Sequence, residues 1–345
     1  MFIFVCIIFI ILISTIKKRT NEDDVLNKID TVTINGICTL FIFLSHSTQY
    51  WPLSDLPLDQ LYQHIQNIHN QWVVVPFLAF SGYGVMISIL NKERYLETFP
   101  YKRILKTLIN FDVAVLLYWA IGIFIGKNFS VSTIVLAFLG ITSLGNSNWY
   151  IFAILIMYLL SYVVSNITKD KRKIVSLLFL GTAIYIFVMK QFDFEERFYS
   201  TILCYPAGAT IALYREDVLN LFNRHKYATF FGLIAIISAT YKLRYYTIIM
   251  NVSSIALILL IVWFLEYFVI KSNIFYFFGK HAFSIFILQR IPGILMTALL
   301  NGFNINKYIL ICLDFVLTIG IALVYDKLLG LLDMSLIRIT EVRRK

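Results

Sequence analysis

Charge is scarce in this chain of 345 residues. Asp, Glu, Lys and Arg together make up 14%, against about 25% in an average soluble domain. That shortfall excludes an ordinary soluble fold. Cysteine is scarce too. All four, Cys6, Cys38, Cys204 and Cys312, fall inside apolar segments, without CxxC spacing or paired loop positions. They read as small core or lipid-facing residues and carry little information about redox compartment. The roughly ten-residue apolar/polar alternation of a transmembrane barrel is missing. Long polar stretches are missing as well. The largest loops are 51–71 and 215–226, so the chemistry falls to the apolar segments and their short connections.

What the chain does have is hydrocarbon. Apolar residues form 59% of it, and the mean hydropathy is +0.77. Apolar runs punctuated by basic clusters predict an all-α, polytopic membrane bundle. Spans are expected near 2–16, 33–50, 72–90, 104–126, 149–167, 174–190, 199–214, 228–241, 247–270, 283–300 and 308–330, about eleven in all. Residues 129–144 are also apolar. If they do not cross, most of the 30 Lys and Arg residues fall on one side of the membrane. The positive-inside rule therefore makes this segment re-entrant, tilted or interfacial, with the N-terminus outside and the C-terminus cytoplasmic. A net charge of +10 is thus a topology signal, and no nucleic-acid partner is expected. Lys17, Lys18 and Arg19 follow the first apolar run instead of preceding it, which predicts an uncleaved anchor and not a signal peptide.

Within this background a few polar residues stand out. His46 lies inside an apolar helix, eleven positions after Asn35 and hence roughly 16 Å along it. Ionisable groups at membrane depth are costly and default to a functional reading. A neutral imidazole can take a proton from a hydroxyl or return one to a leaving group, although a His held between helices for packing is the bland alternative. Ser45 and Ser47 flank it without sharing its helix face, so no Ser–His dyad is implied. Phe80-Ser81-Gly82-Tyr83-Gly84 follows in a later span, where small residues permit close approach. Arg94, Lys102, Arg103 and Lys106 gather at the basic end of the next span, as a topology signal or as a site for phosphates. Trp149 and Tyr150 open another span and, with Tyr50, Trp51 and Trp72, form an interface belt or a sugar-accepting mouth. Asp112 and Asp314 are carboxylates within spans. A late string from Gly279 to Arg290 places Ser284, Gln289 and Arg290 in or near the bundle. His64 and His69, five apart, share no helix face, and no metal site is expected.

The order of these motifs resembles the acyltransferase-3 family of bacterial integral-membrane O-acyltransferases. The resemblance covers about residues 28–330. In that family an early helix carries a basic residue followed by glycine, with His eleven positions after the basic residue. A Ser-Gly-aromatic motif and a basic helix end follow, then an aromatic pair and a late Gly…Ser…His string. Here His46, Ser81-Gly82, Arg103 and Lys106 match. Asn35 replaces the early basic residue, and Gln289 replaces the final His. The resemblance implies a core of about ten helices and an acyl-CoA donor, most simply acetyl-CoA, used as a substrate with no permanently bound cofactor. The acceptor would be a hydroxyl of a cell-surface polysaccharide or its lipid-linked precursor, at a bacterial plasma membrane. His46 would be the catalytic base or a transient acyl carrier. Arg94, Arg103, Lys106, Ser81, Gly82 and Tyr83 would bind the donor. Asn35, Trp51, Trp149, Tyr150, Ser284, Gln289 and Arg290 would bind the acceptor.

The expected organisation is an anchor and basic loop at 1–27, the catalytic bundle at 28–330, and a basic cytoplasmic tail at 331–345. The competing function is a transporter or flippase for a glycan-linked lipid or small metabolite, with His46, Asp112 and Asp314 as a proton relay. The chain shows no internal repeat of the kind common in transporters. An inactive scaffold is a third reading, motivated by Asn35 and Gln289.

Overall fold

A computed structural model describes residues 1–20, 24–300, 302–303 and 305–342, with side chains as far as residue 332. The basic tail expected at 331–345 therefore lies almost wholly outside the described side chains. The described chain is almost entirely helical, as the apolar periodicity predicts.

Helix α1 (Phe2–Thr15) is apolar on every side, as a helix bathed in hydrocarbon must be. It runs into strand β1 (Ile16–Lys18), which pairs antiparallel with β2 (Phe268–Ile270), Lys17 opposite Val269. This short ladder ties the first helix to a late segment. Helix α2 (Lys28–Ser47) begins where the Asn27 side chain accepts from the Asp30 backbone N–H at 2.9 Å, satisfying one orphan donor of the first turn. Asp30 in turn binds Arg19 at 2.7 Å, and both side chains are almost fully buried. The same guanidinium donates to the carbonyls of Leu265 and Asp24, so this buried pair is anchored on three segments.

Next come α3 (Pro57–His69), α4 (Val75–Asn91) and the short α5 (Tyr95–Phe99). A π turn over Pro100–Leu105 joins α5 to α6 (Lys106–Phe124). The ring of Pro100 removes the N–H that would bond Leu96, so the helix rewinds there. Helix α7 (Val131–Phe138) has eight residues. At 1.5 Å per residue it reaches about 12 Å, too short to cross the roughly 30 Å hydrocarbon core. Residues 129–144 thus contain no crossing helix.

The chain continues through α8 (Trp149–Ile167), α9 (Lys171–Gln191), α10 (Cys204–Leu213), α11 (Arg215–Arg224), α12 (Lys226–Thr240) and α13 (Thr247–Tyr267). Then follow α14 (Asn273–Lys280), α15 (Ala282–Leu288), α16 (Arg290–Leu299) and the long α17 (Lys307–Val342). Among the described residues, 8 helical stretches are long and apolar enough to cross a membrane, while α1 and α10 are shorter apolar helices. The late span read as 283–300 is broken at Gln289. Pro292 withdraws the N–H that would bond the Leu288 carbonyl, which divides it into α15 and α16.

Two glycine-mediated contacts set the centre of the bundle. A Cβ on Gly82 of α4 would lie 2.0 Å from the Tyr205 carbonyl oxygen, and one on Gly208 of α10 1.9 Å from that of Ala79. Helices α2 and α14 meet in the same reciprocal way. Cβ atoms on Gly36 and Gly279 would each fall 1.8 Å from a backbone oxygen, of Phe275 and Val32 respectively. Small residues let membrane helices approach backbone to backbone. Because α2 carries both Asn35 and His46, this packing fixes where they sit.

Candidate active site

The π turn shapes a basic concavity. Rewinding at Pro100 brings Arg103 back over α5, where its Nε donates to the Tyr95 hydroxyl at 3.0 Å. Its guanidinium also lies 5.9 Å from the ring centre of Tyr158 on α8. Lys92, Arg94, Lys102, Arg103 and Lys106 line a bowl of about 660 Å³. Arg94 is highly exposed and paired with Glu97 at 2.7 Å. Convergent cations of this kind suit a polyphosphate, through charge and directed N–H donors.

A narrower cavity of about 240 Å³ lies next to the bowl, lined mostly by apolar side chains. Asn35, Thr107, Tyr158 and Ala282 mark its basic end, and Val74, Phe77, Tyr150 and Phe286 its far end. Tyr158 and Thr107 connect the two spaces: the first lies beneath Arg103 and the second follows Lys106. Ser81 and Tyr150 both line the cavity. Asn35 lines it too, and its Oδ1 is buried without a partner.

Beyond the far end lies His46, on the last turn of α2. Its ring centre is 6.3 Å from that of Phe286, and its Nδ1 is buried without a hydrogen-bond partner. The guanidinium groups of Arg290 and Arg197 act on it electrostatically. Arg290 stands at the α15–α16 break. That break is held by the Tyr118 hydroxyl, which donates to the Ile287 carbonyl at 2.9 Å. Gln289 is buried there and donates to the Phe286 carbonyl at 3.0 Å, leaving its Oε1 unpartnered. On α17, Asp314 is 1% exposed and accepts from Ser47 at 3.3 Å, with Trp51 against the same carboxylate. Tyr50 packs over Gly293 and feels both Arg290 and Asp314. His46 Nδ1, Gln289 Oε1, Arg290 Nε, Asp314 Oδ1 and Thr318 Oγ1 are thus buried polar atoms without partners, drawn from α2, α17 and the helix break. Each such atom costs about 1–3 kcal/mol. An ordered water or a polar ligand would satisfy them.

The structure brings Ser81, Tyr150 and Asn35 to the cavity, Arg94, Arg103 and Lys106 to the bowl, and Trp51, Gln289 and Arg290 to the His46 side. Others lie elsewhere. Gly82 is spent on the α4–α10 contact, and Tyr83 turns toward Leu26, Gly208 and Val262. Trp149 stands edge-on behind Tyr150 at 6.0 Å. Ser284 and His281 both bind Asp326 of α17. Sequence reasoning missed Asp326, which reads as an ordinary charge closing the last apolar run beside Lys327. Its contacts with His281 and Ser284 join positions more than forty residues away. Of the three proposed relay groups, Asp314 lies on the His46 side. Asp112 lies with Tyr325, eleven positions along α17 from Asp314 and so about 16 Å away along the helix.

A profile of the acyltransferase-3 family, described as an acyltransferase domain, matches residues 33–326. No curated protein and no solved structure matches the chain. The matched region takes in α2 with His46, the bowl, the cavity and the Asp314 helix, leaving α1 outside it. The chain is a multi-pass membrane acyltransferase and belongs to the acyltransferase-3 family.

Proposed function

We propose that this acyltransferase moves an acyl group, acetyl in the simplest case, from acyl-CoA to a hydroxyl of a cell-surface polysaccharide or its lipid-linked precursor. The observation that carries the reading is the adjacency of a cationic bowl to a narrow apolar cavity pointing at a buried histidine. The phosphates of the donor suit Lys92, Arg94, Lys102, Arg103 and Lys106. Its slender thioester arm suits the cavity past Tyr158 and Ser81. Positive-inside bias puts the bowl in the cytoplasm and His46 toward the outside of a bacterial plasma membrane, with the N-terminus outside and the C-terminus inside. The acceptor then reaches His46 from the opposite side, among Trp51, Gln289, Arg290 and Asp314.

In the direct route, the acceptor hydroxyl oxygen attacks the thioester carbonyl while His46 removes the hydroxyl proton. The tetrahedral oxyanion collapses, the C–S bond breaks, and the CoA thiolate leaves with that proton. Arg290 supplies positive charge beside the developing oxyanion. In the carrier route, the His46 imidazole attacks the thioester carbonyl, the C–S bond breaks, and CoA leaves as the thiol with the imidazole proton. The acceptor hydroxyl oxygen then attacks the acyl-imidazole, and its proton returns to the released imidazole. The transporter reading is weakened by the separation of Asp112 from Asp314 along the bundle.

Label transfer from radioactive acetyl-CoA tests the proposal, in inside-out membrane vesicles from cells that supply the acceptor. Wild-type protein is expected to move label into a membrane glycan fraction, and His46→Ala to lower the rate by about 100-fold or more. Normal transfer by a folded His46→Ala would remove His46 from the chemistry. Absence of both transfer and acyl-CoA binding in the wild type would defeat the donor assignment.

A further inference from the structure

His46 does not line the cavity, and Phe286 lies against both. Phe286 lines the far end of the cavity, and its ring lies 6.3 Å from the His46 ring. On its other side it meets Tyr150 edge to face at 5.6 Å and 72°. Tyr150 in turn meets Phe77 at 6.1 Å and 73°. The three aromatics form a wall across the far end, and Phe286 is the member of that wall in contact with His46.

The wall is held from behind. Trp149 braces Tyr150 at 6.0 Å and 89°. The carbonyl of Phe286 accepts from Gln289, and the next carbonyl, of Ile287, accepts from Tyr118. Both bonds sit at the Pro292-induced break, so the backbone under the Phe286 ring is pinned. The side chain itself is buried, 8% exposed.

From this geometry we infer that Phe286 sets the length of acyl group that the enzyme accepts. The inference rests on the acyl-CoA reading above. A donor arm occupying most of a cavity of about 240 Å³ leaves little room between thioester and wall. A short acyl group fits in that remainder beside the Phe286 ring. A longer one must displace a ring whose backbone is pinned and whose neighbours are packed. Pockets that read aliphatic length discriminate by roughly tenfold or more for each methylene that does not fit. Phe286 therefore restricts the chain to short-chain donors. Shortening it opens the wall toward His46 without altering the basic bowl.

The test is a donor series of acetyl-, butyryl-, hexanoyl- and octanoyl-CoA, in vesicles carrying wild type, Phe286→Leu or Phe286→Ala. The readout is the ratio of kcat/KM for each longer donor to that for acetyl-CoA, which a general loss of activity leaves unchanged. Wild type is expected to fall steeply beyond butyryl-CoA. Phe286→Ala is expected to raise the hexanoyl-to-acetyl ratio at least tenfold, with Phe286→Leu intermediate. Where Phe286→Ala fails to fold, Phe286→Leu alone decides, by a ratio raised at least threefold, the value of a single buried methylene being roughly fourfold. Wild-type transfer of acetyl with unchanged ratios in the folded variants would overturn the role of Phe286 and leave the donor reading standing. No transfer from any acyl-CoA by wild type would overturn both.

Discussion

Replacing Gly36 with alanine perturbs a single methyl group, and the structure sets its consequence. The new Cβ would sit 1.8 Å from the Phe275 carbonyl oxygen and 2.7 Å from the Gly279 nitrogen. Real Cβ atoms essentially never approach closer than 3.0 Å, so α2 and α14 must separate by about an ångström. Both offending atoms are backbone, and no side-chain rotation relieves them. Overpacking of this kind costs about 1–3 kcal/mol or more, which lowers a thermal midpoint by several degrees. The functional effect is expected to be larger. Helix α2 carries Asn35 in the cavity and His46 beyond it, and a 1 Å misplacement of a reacting group can cost about 100-fold in rate. Purified protein in detergent, compared with wild type for thermal midpoint and acetyl transfer, checks both effects. Gly84→Ala is the matched control, since its Cβ would meet nothing within 4 Å. It is expected to be neutral or slightly stabilising, by up to about 1 kcal/mol. A Gly36→Ala protein with the melting and activity of Gly84→Ala would refute the close-packing argument.

Two further outcomes are expected. Arg19→Met or Asp30→Leu alone strands a buried partner and is expected to cost about 3–5 kcal/mol, whereas the two changes together cost less than their sum; denaturation of the three variants gives the comparison, and an additive double change would count against a coupled buried pair. Arg103→Ala removes a cation from the bowl and its hold on Tyr95 and Tyr158. It is expected to raise the apparent KM for acyl-CoA about tenfold, with kcat less affected. A kcat effect at constant KM would place Arg103 in the chemistry instead.

Several features were legible before any coordinates. The scarcity of charge and the apolar runs were enough for an all-α membrane bundle, because backbone in hydrocarbon must satisfy its own hydrogen bonds. The eight-residue α7 agrees with the loop-charge argument that 129–144 does not cross. The ordered His46, Ser81-Gly82 and basic motifs pointed to the acyltransferase-3 family, to which the chain belongs. Gly82 and Tyr83 show where a motif misleads about roles. A string of residues on one helix necessarily points in several directions, and here Ser81 reaches the cavity while its two neighbours pack against other elements.

Sequence alone determined what each segment is made of: which runs are long and apolar enough for lipid, where basic residues accumulate, and which polar groups are costly enough to need a reason. Those are properties of composition and spacing along one strand of chain. Only the tertiary structure decided which of those groups meet. Asp314 and Ser47, or Asp326 and His281, are far apart in sequence and become partners because α17 packs against α2 and α15, while α2 and α14 meet backbone to backbone. The wall made by Phe77, Tyr150 and Phe286 has the same origin. Each is an ordinary apolar or aromatic residue on its own helix, and their juxtaposition across the path to His46 exists only once three helices have packed.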